Sequence, residues 1–496
     1  MALILYLQLH KENTLKEYLT LAEIQEDLRG GNLTCVELVD FYLQNIESNQ
    51  HLNAFVEVYA DEAREAAVAV DQKIANGTWG RLAGMVIGLK DVLSHKGHGL
   101  QAGSQILNSY VAPFTATAVQ RLLDEDAIVI GRQNCDEFAM GSSNENSSFG
   151  PVLNAADNSK VPGGSSGGSA VAVQAGLCHA SLGSDTGGSV RQPAAFCGVV
   201  GVKPSYGRIS RYGLIAYASS FDCIGPIAKS VSDAALLLEI MSGADDFDST
   251  VSEKPVPSYS QHLEWNGKAR IGYIRESVES EAISLEIRQQ TLEVLNRLRA
   301  EGHEVTPVEI PLTNSLLPTY YILTTAEASS NLSRFDGVRY GHRSAEAKDL
   351  ESLYKKTRTE GFGDEVRRRI LLGTFVLSAN YYDAYYTKAQ RVRRLVQEET
   401  NRFFESFDFL ISPVSPTTAF TIGEKTEDPL QMYLADIFTV QANVVGNPAV
   451  AIPNGLDENG MPIGIQVMAP YFAEERMLAF AQYLTELNKK SAVVLN

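Results

Sequence analysis

Residues 163–189, GGSSGGSAVAVQAGLCHASLGSDTGGS, decide how this 496-residue chain is interpreted. The segment contains eight glycines and six serines, interrupted by the apolar runs 170–173 and 180–182. A flexible Gly/Ser linker has no reason to keep such runs. Two tight glycine loops that flank a helix and a strand explain the pattern better, because glycine lets the backbone approach a ligand closely.

Short apolar segments alternate with amphipathic segments on both sides of this stretch. Such alternation is typical of a parallel or mixed sheet covered by helices on both faces. We therefore predict an α/β fold, a single large α/β/α domain with a mixed central sheet. The prediction rests on candidate strands at 85–89, 127–131, 199–202, 269–274 and 305–310, candidate helices at 116–123, 169–175, 232–241 and 285–301, and a hairpin of 449–453 with 463–468.

The first 60 residues are predicted to form a helical segment packed on the core. Thr20 and Thr34 are each followed three residues later by glutamate, the capping-box pattern that starts a helix. Residues 61–490 are predicted to form the main domain. Within it the chain turns helical over 316–407, including a long helical stretch at 365–402, and we place this region on the substrate side.

Composition restricts the class of protein. Hydrophobic residues make up 44% and charged residues 21%, a globular mixture that excludes a disordered or fibrous chain. The net charge of −18 repels phosphate backbones, so direct nucleic-acid binding is not expected as the main activity. The five cysteines form no C-x-x-C pair, and neither a signal peptide nor an apolar run of membrane-spanning length is found. We therefore predict a cytoplasmic protein with reduced thiols.

Two familiar loop motifs match the glycine-rich segment poorly. A phosphate-binding loop needs G-x-x-x-x-G-K-[ST], and residues 163–189 contain no lysine. The pattern G-x-S-x-G occurs twice, but a nucleophile elbow follows a buried strand, whereas residues 154–162 are polar and contain proline. His179 is expected to be a packed or surface residue, which leaves a serine nucleophile that works without histidine.

Such a serine needs another base, and a lysine with a lowered pKa can serve. Lys90 closes the candidate strand 85–89, and Lys203 closes the candidate strand 199–202. Either lysine can therefore be drawn into the interior. Spacing alone does not choose between them.

Lys90, GGSSGGSA (163–170) and LGSDTGGSVRQPAAFCG (182–198) together resemble the amidase signature family, and the resemblance extends over about residues 34–485. It implies the amidase signature fold and a Ser–cis-Ser–Lys triad. In that triad Ser189 is the nucleophile, Ser165 the bridging serine with a cis peptide bond, and Lys90 the base.

The same resemblance implies how the intermediate is stabilised. Backbone amides at Thr186, Gly187 and Gly188, directly before the nucleophile, correspond to an oxyanion hole. No metal belongs to this catalytic scheme.

Several further segments resemble the branch of this family that supplies glutaminase subunits to tRNA-dependent amidotransferases. Glutamine carries an α-carboxylate and an α-ammonium, which call for a cation and an anion in the pocket. The resemblance implies Arg369 as the carboxylate partner, Asp436 as the ammonium partner and Tyr320 as a further pocket residue, with Arg367 and Arg368 left on a solvated face. The segments are 135–147, 189–196, 320–341, 365–386 and 432–453.

By this resemblance the chain is the A subunit of a heterotrimer. It is then expected to hydrolyse glutamine and to supply ammonia for the conversion of Glu-tRNA(Gln) to Gln-tRNA(Gln), with Asp-tRNA(Asn) to Asn-tRNA(Asn) as a further conversion left open. No cofactor is expected in this chain. The B subunit is expected to use ATP and Mg²⁺ and to bind the charged tRNA, and a small C subunit is expected to wrap around this chain.

Two alternatives stay open at this point. A stand-alone amidase acting on small aliphatic or aryl amides would share Lys90, Ser165 and Ser189 but would not need Arg369 or Asp436. A non-catalytic scaffold would be expected to have a broken triad, and all three residues are intact.

Overall fold

One mixed sheet of eleven strands organises the computed structural model, which describes residues 15–280, 283–425 and 429–494. The strands are β1 Phe55–Val58, β2 Val86–Lys90, β3 Ile128–Gln133, β4 Ala180–Asp185, β5 Val200–Lys203, β6 Cys223–Ala228, β7 Arg270–Ile274, β8 Glu304–Val308, β9 Phe409–Pro413, β10 Ala449–Leu456 and β11 Pro462–Met468. Their order in the sheet is β1-β3-β2-β4-β6-β5-β10-β11-β9-β7-β8.

Strand directions confirm the predicted mixed sheet. Strand β2 runs parallel to β3 and β4, and β7 runs parallel to β8 and β9, whereas the other neighbours are antiparallel. Every residue of β2, β3, β4, β5 and β6 is buried. Because successive strand residues point to opposite faces, this burial requires cover on both faces of the sheet.

Helices supply that cover. No helix in the described part of the chain combines the length and the apolar character needed to cross a membrane. The α-helices are α1 Leu21–Gly30, α2 Cys35–Ser48, α3 Ala60–Ala75, α4 Thr117–Asp124, α5 Gly167–Gln174, α6 Arg191–Phe196, α7 Val231–Met241, α8 Glu276–Glu279, α9 Leu285–Ala300, α10 Thr313–Asn331, α11 Leu350–Gly361, α12 Asp364–Val376, α13 Lys388–Ser406, α14 Pro429–Leu434, α15 Val440–Val445 and α16 Glu474–Val494.

The N-terminal helices begin where the sequence predicts. Thr20 and Thr34 each accept a hydrogen bond from the backbone of the glutamate three residues later, which returns the bond, so both capping boxes are confirmed. Ile24 of α1 and Leu38 of α2 are buried in the main hydrophobic core. The division of the chain at residue 60 stays a prediction.

Local patterns misjudge three segments. Strand β6 contains Gly225 and Pro226, which weaken a strand pattern, and β9 follows directly on a helical region, so neither was predicted. The stretch 365–402 is not one helix, because α12 ends at Val376 and a π-helical turn at Asp383–Thr387 precedes α13.

Candidate active site

Lys90 is the last residue of β2 and is completely buried. Its Nζ lies 2.7 Å from the Ser165 hydroxyl and 2.9 Å from the hydroxyls of Ser166 and Ser184. Burial lowers the pKa of Lys90 to about 8, although nearby carboxylates oppose the shift. A buried amine surrounded by three hydroxyls is suited to exchange a proton with a serine at neutral pH.

Sheet topology explains why these groups meet. Parallel strands β2 and β4 end at the same edge of the sheet, so Lys90 lies beside Ser184 near the end of β4. Ser165 and Ser166 directly precede α5, and the Gly164–Ser165 peptide is cis, as the family resemblance implies. The two predicted glycine loops thus flank helix α5 and strand β4.

Lys203, the other lysine that ends a strand, has a different environment. Its Nζ donates to the backbone carbonyls of Pro204 and Asn447, both at 2.8 Å. Burial lowers its pKa, as it does for Lys90. Lys203 is thus bonded to backbone carbonyls, whereas Lys90 is bonded to serine hydroxyls.

Ser189 lies in the turn between β4 and α6, and its side chain is nearly buried. Its carbonyl accepts a hydrogen bond of 3.2 Å from the Ser166 amide, which joins the two glycine loops. Gly187 is required in this turn because a Cβ there would lie 2.3 Å from the hydroxyl of Tyr320. Gly188 has φ 131°, a conformation that favours glycine.

Asp185 holds the turn in shape. Burial alone would raise the pKa of Asp185, but the adjacent Arg191 lowers it to about 2, so the carboxylate is ionised. Its Oδ1 accepts a 2.9 Å hydrogen bond from the Gly188 amide, and Arg191 Nε lies 3.0 Å from Oδ2. Of the predicted oxyanion-hole donors, the Gly188 amide is therefore already bonded to Asp185. Thr186 and Gly187 lie in the same turn.

Arg369 is buried on α12, in contrast to its neighbours. Its Nε donates to Glu365 Oε1 at 2.8 Å, and Nη1 donates to the Tyr217 hydroxyl at 2.8 Å. The guanidinium carbon also lies 5.4 Å from the ring centre of Tyr321 and 5.5 Å from that of Tyr433. The flanking Arg367 and Arg368 are on the exposed side, as predicted. Each pairs with a carboxylate in the first turn of the helix.

Asp436 is also buried, in the turn between α14 and α15. The Ser142 hydroxyl lies 2.9 Å from both carboxylate oxygens, and the Tyr321 hydroxyl donates to Oδ2 at 3.0 Å. Burial raises the pKa of Asp436 to about 7, opposed by these two hydroxyls and by Arg369. The free carboxyl is thus poised between its charged and neutral forms.

Tyr321 connects the predicted groups. It packs against Arg369, hydrogen-bonds Asp436 and stacks on Tyr433 with ring centres 4.1 Å apart. The preceding residue in the chain, Tyr320, reaches Gly187 beside the nucleophile turn. Arg369 and Asp436 therefore lie in one buried cluster, which contacts the Ser189 turn through Tyr320.

The sequence interpretation missed the residues that hold this cluster together. Ser142 lies within the family-like segment 135–147, and Tyr433 within 432–453, so the signal pointed to the region without identifying the contact. Tyr321 lies within 320–341 and Glu365 within 365–386, so of these residues Tyr217 alone lies outside the family-like segments.

Other sequence expectations concern residues away from this cluster. His179 is buried, with Nε2 2.8 Å from Asp233, which confirms it as a packed residue. All five cysteines lie in the described residues and are free, buried thiols.

Several known proteins resemble this chain in sequence and in fold. The A subunit of glutamyl-tRNA(Gln) amidotransferase from Chlorobium luteolum is 52% identical over 466 residues, covering 92% of this chain and 96% of that protein. The crystal structure of the A subunit of glutamyl-tRNA(Gln) amidotransferase from Thermotoga maritima superposes with a TM-score of 0.73 and 39% identity, covering 91% of this chain and 94% of that one. A substrate complex of 6-aminohexanoate cyclic dimer hydrolase superposes with a TM-score of 0.80 and 25% identity, covering 93% and 95%.

The match extends along most of the chain. The sequence profile of the amidase family aligns with residues 37–478, a range that contains every residue of the site described above. This range, together with the similarity to the Chlorobium luteolum protein over more than nine-tenths of the chain, leads to one conclusion. The chain belongs to the amidase family.

Proposed function

We propose that this chain is the glutamine-hydrolysing subunit of a glutamyl-tRNA(Gln) amidotransferase. The observation that carries the proposal is that Arg369 and Asp436 are both buried next to the Ser189 turn and both contact Tyr321. Arg369 suits the α-carboxylate of glutamine, and Asp436 suits its α-ammonium. Tyr320 would line the same pocket.

The reaction begins at Ser189. Its hydroxyl attacks the carboxamide carbon of glutamine, and its proton passes through Ser165 to the neutral amine of Lys90. The negative oxygen of the tetrahedral intermediate accepts hydrogen bonds from amides of the 186–189 turn, among which Thr186 and Gly187 are favoured because Gly188 is bonded to Asp185.

Collapse of the intermediate breaks the carbon–nitrogen bond. Lys90 returns the proton through Ser165, so the leaving group departs as ammonia and a glutamyl ester remains on Ser189. Water then attacks the ester and gives a proton to the same lysine, and collapse of the second intermediate returns that proton through Ser165 to the Ser189 oxygen as glutamate leaves. The Lys90–Ser165 hydrogen bond of 2.7 Å supports this proton relay.

The lowered pKa of Lys90 makes this base available. With a pKa of about 8, about one-tenth of the lysine is neutral at pH 7, compared with about 0.03% at the ordinary value of 10.5. Burial therefore enriches the reactive form roughly 300-fold.

We further propose that the chain works as the A subunit of a heterotrimer in the cytoplasm. The matched relatives are themselves named as subunits, which supports an assembly with B and C subunits here. ATP and Mg²⁺ would be used by the partner that activates the charged tRNA, and the acidic charge of −18 suits a protein that leaves tRNA binding to that partner. Glutamine hydrolysis would then depend on assembly.

The test is ammonia release from glutamine, asparagine and a simple aliphatic amide, by the chain alone and with its co-purified partners. We expect release selective for glutamine, increased by the partners and abolished in Ser189→Ala. Ser169→Ala is the matched control, because this buried serine of the same glycine-rich segment donates to the Leu182 carbonyl instead. Partner-independent release from the simple amide would favour the stand-alone amidase and leave Arg369 and Asp436 without a role.

A further inference from the structure

Outside the proposed active site, the described residues contain one cluster of metal-ligating side chains, formed by Glu62, His95 and His98. One ligand atom from each residue lies within 4.8 Å of the other two. His98 Nε2 is 2.8 Å from a Glu62 carboxylate oxygen. We propose that these three side chains bind a divalent transition-metal ion, with Zn²⁺ as the preferred ion.

The two imidazoles lie side by side on one loop. Their rings stack with centres 4.7 Å apart and an interplanar angle of 4°, and the Tyr59 ring packs 3.8 Å from His98. The loop backbone is fixed as well, since Gly97 donates to the Ala112 carbonyl and Ala112 donates to the His98 carbonyl. The loop backbone is therefore preorganised, whereas the parallel rings must turn to aim one nitrogen each at a shared ion, because a metal lies near the plane of each imidazole that ligates it.

His95 has unused coordinating capacity. Its Nδ1 is buried, and within the described residues it has no hydrogen-bond partner. A purely structural cluster would be expected to satisfy that nitrogen.

The ligand set indicates the class of ion. Two imidazoles and one carboxylate form a common three-ligand zinc set, with a water molecule completing the tetrahedron. Mg²⁺ and Ca²⁺ prefer oxygen ligands and are disfavoured here. Ligand atoms of a tetrahedral zinc site lie about 3.4 Å apart, so the His98–Glu62 distance of 2.8 Å must lengthen and the separations of up to 4.8 Å must shorten. The Glu62 side chain, which is 63% exposed, has room to move.

A bound ion would join helix α3, which carries Glu62, to the loop 94–104. That loop also donates from the Gln101 and Gly103 amides to Asp91, the residue that follows Lys90. We therefore expect the ion to stabilise the loop without entering the reaction. The proposal does not depend on the proposed glutaminase activity.

The experiment is a Zn²⁺ titration of the untagged, metal-free full chain in competition with a chromophoric chelator, supported by the visible spectrum of the Co²⁺ form. The variants are His98→Ala and Glu62→Gln, and the latter changes an exposed side chain and is expected to fold. His262→Ala is the matched control, because His262 pairs with Glu475 at 2.8 Å outside any such three-residue cluster of the described chain. Unfolding temperatures measured without metal establish that each variant is folded.

We expect one Zn²⁺ per chain, a tetrahedral Co²⁺ spectrum and a higher unfolding temperature with metal. Affinity should fall by about tenfold or more in His98→Ala and Glu62→Gln and stay unchanged in His262→Ala. Substoichiometric binding by the wild type, or binding that both ligand variants retain, would overturn the proposal.

Discussion

Replacing Ser142 with alanine tests whether Asp436 serves as an ammonium-binding carboxylate. The Ser142 hydroxyl lies 2.9 Å from both oxygens of Asp436 and stabilises the ionised form. Alanine removes that donor and little else. The Tyr321 hydroxyl, 3.0 Å from Oδ2, remains.

The size of the effect follows from the burial of this pair. A hydrogen bond to a charged group contributes about 1.5–3 kcal/mol, and one pKa unit corresponds to about 1.4 kcal/mol. The pKa of Asp436, already raised to about 7 by burial, should therefore rise by about 1–2 units in Ser142→Ala. Below its pKa the carboxyl is neutral and binds an ammonium poorly, so the variant loses glutamine binding at higher pH than the wild type.

The assay is ammonia release by the assembled enzyme between pH 6 and 8.5, with kcat/KM for glutamine as the readout. The ratio of variant to wild type cancels the ionisation of Lys90, which both proteins share. We expect a deficit of about 10- to 100-fold at pH 6 that shrinks as pH rises through 7. A simple amide without an α-ammonium serves as the control substrate and should show little change.

A deficit that is constant across this pH range would refute the reasoning, because it would mean that Ser142 does not act through the ionisation of Asp436. An equal loss with the control amide would refute it too, since it would place the damage in the common catalytic machinery.

Three further perturbations address other parts of the molecule. In the wild type, kcat should rise with pH and level off above about 8, because Lys90 acts only when neutral. Lys90→Met should lower kcat by about 10²–10⁴-fold and abolish this rise. Persistence of the rise would exclude Lys90 as the base. Arg369→Lys loses the planar guanidinium that bonds Glu365 and Tyr217, so KM for glutamine should increase about 10- to 100-fold, with little effect on the simple amide. Equal effects on both substrates would contradict the assignment of Arg369 to the glutamine α-carboxylate. Asp233→Ala removes a buried carboxylate bound to His179 and to the Leu21 amide, so the free energy of unfolding measured by urea denaturation should fall by about 3 kcal/mol. Replacement of the exposed Asp246 with alanine should change it by less than about 0.5 kcal/mol. Comparable values for the two variants would show that the Asp233–His179 pair contributes nothing to stability.

Local sequence patterns predict some of this site well. The run MVIGL before Lys90 identifies a buried strand, and the glycine clusters around Ser165 and Ser189 identify tight loops, because both depend on the conformational preferences of neighbouring residues. Spacing alone did not choose between Lys90 and Lys203 as the base. The family resemblance implies Lys90 and also the roles of the two serines.

The pocket contacts could not be predicted in this way. Ser142 and Asp436 are 294 positions apart, and Tyr217 and Arg369 are 152 apart, so no periodic pattern links them. Strand β6 was missed for a similar reason. Pro226 opposes a strand locally, but pairing with β4 across the sheet determines the conformation.

Burial links selectivity and reactivity in the proposed site. Exclusion of water lowers the pKa of Lys90 and raises that of Asp436, so it favours the neutral form of both groups. Glutamine brings an ammonium that restores the charge of Asp436 and a carboxylate that meets Arg369. A simple amide would bring neither, and would leave Asp436 neutral and Arg369 paired with Glu365 alone, so in the proposed site the dry environment that activates the base also disfavours substrates without both charges.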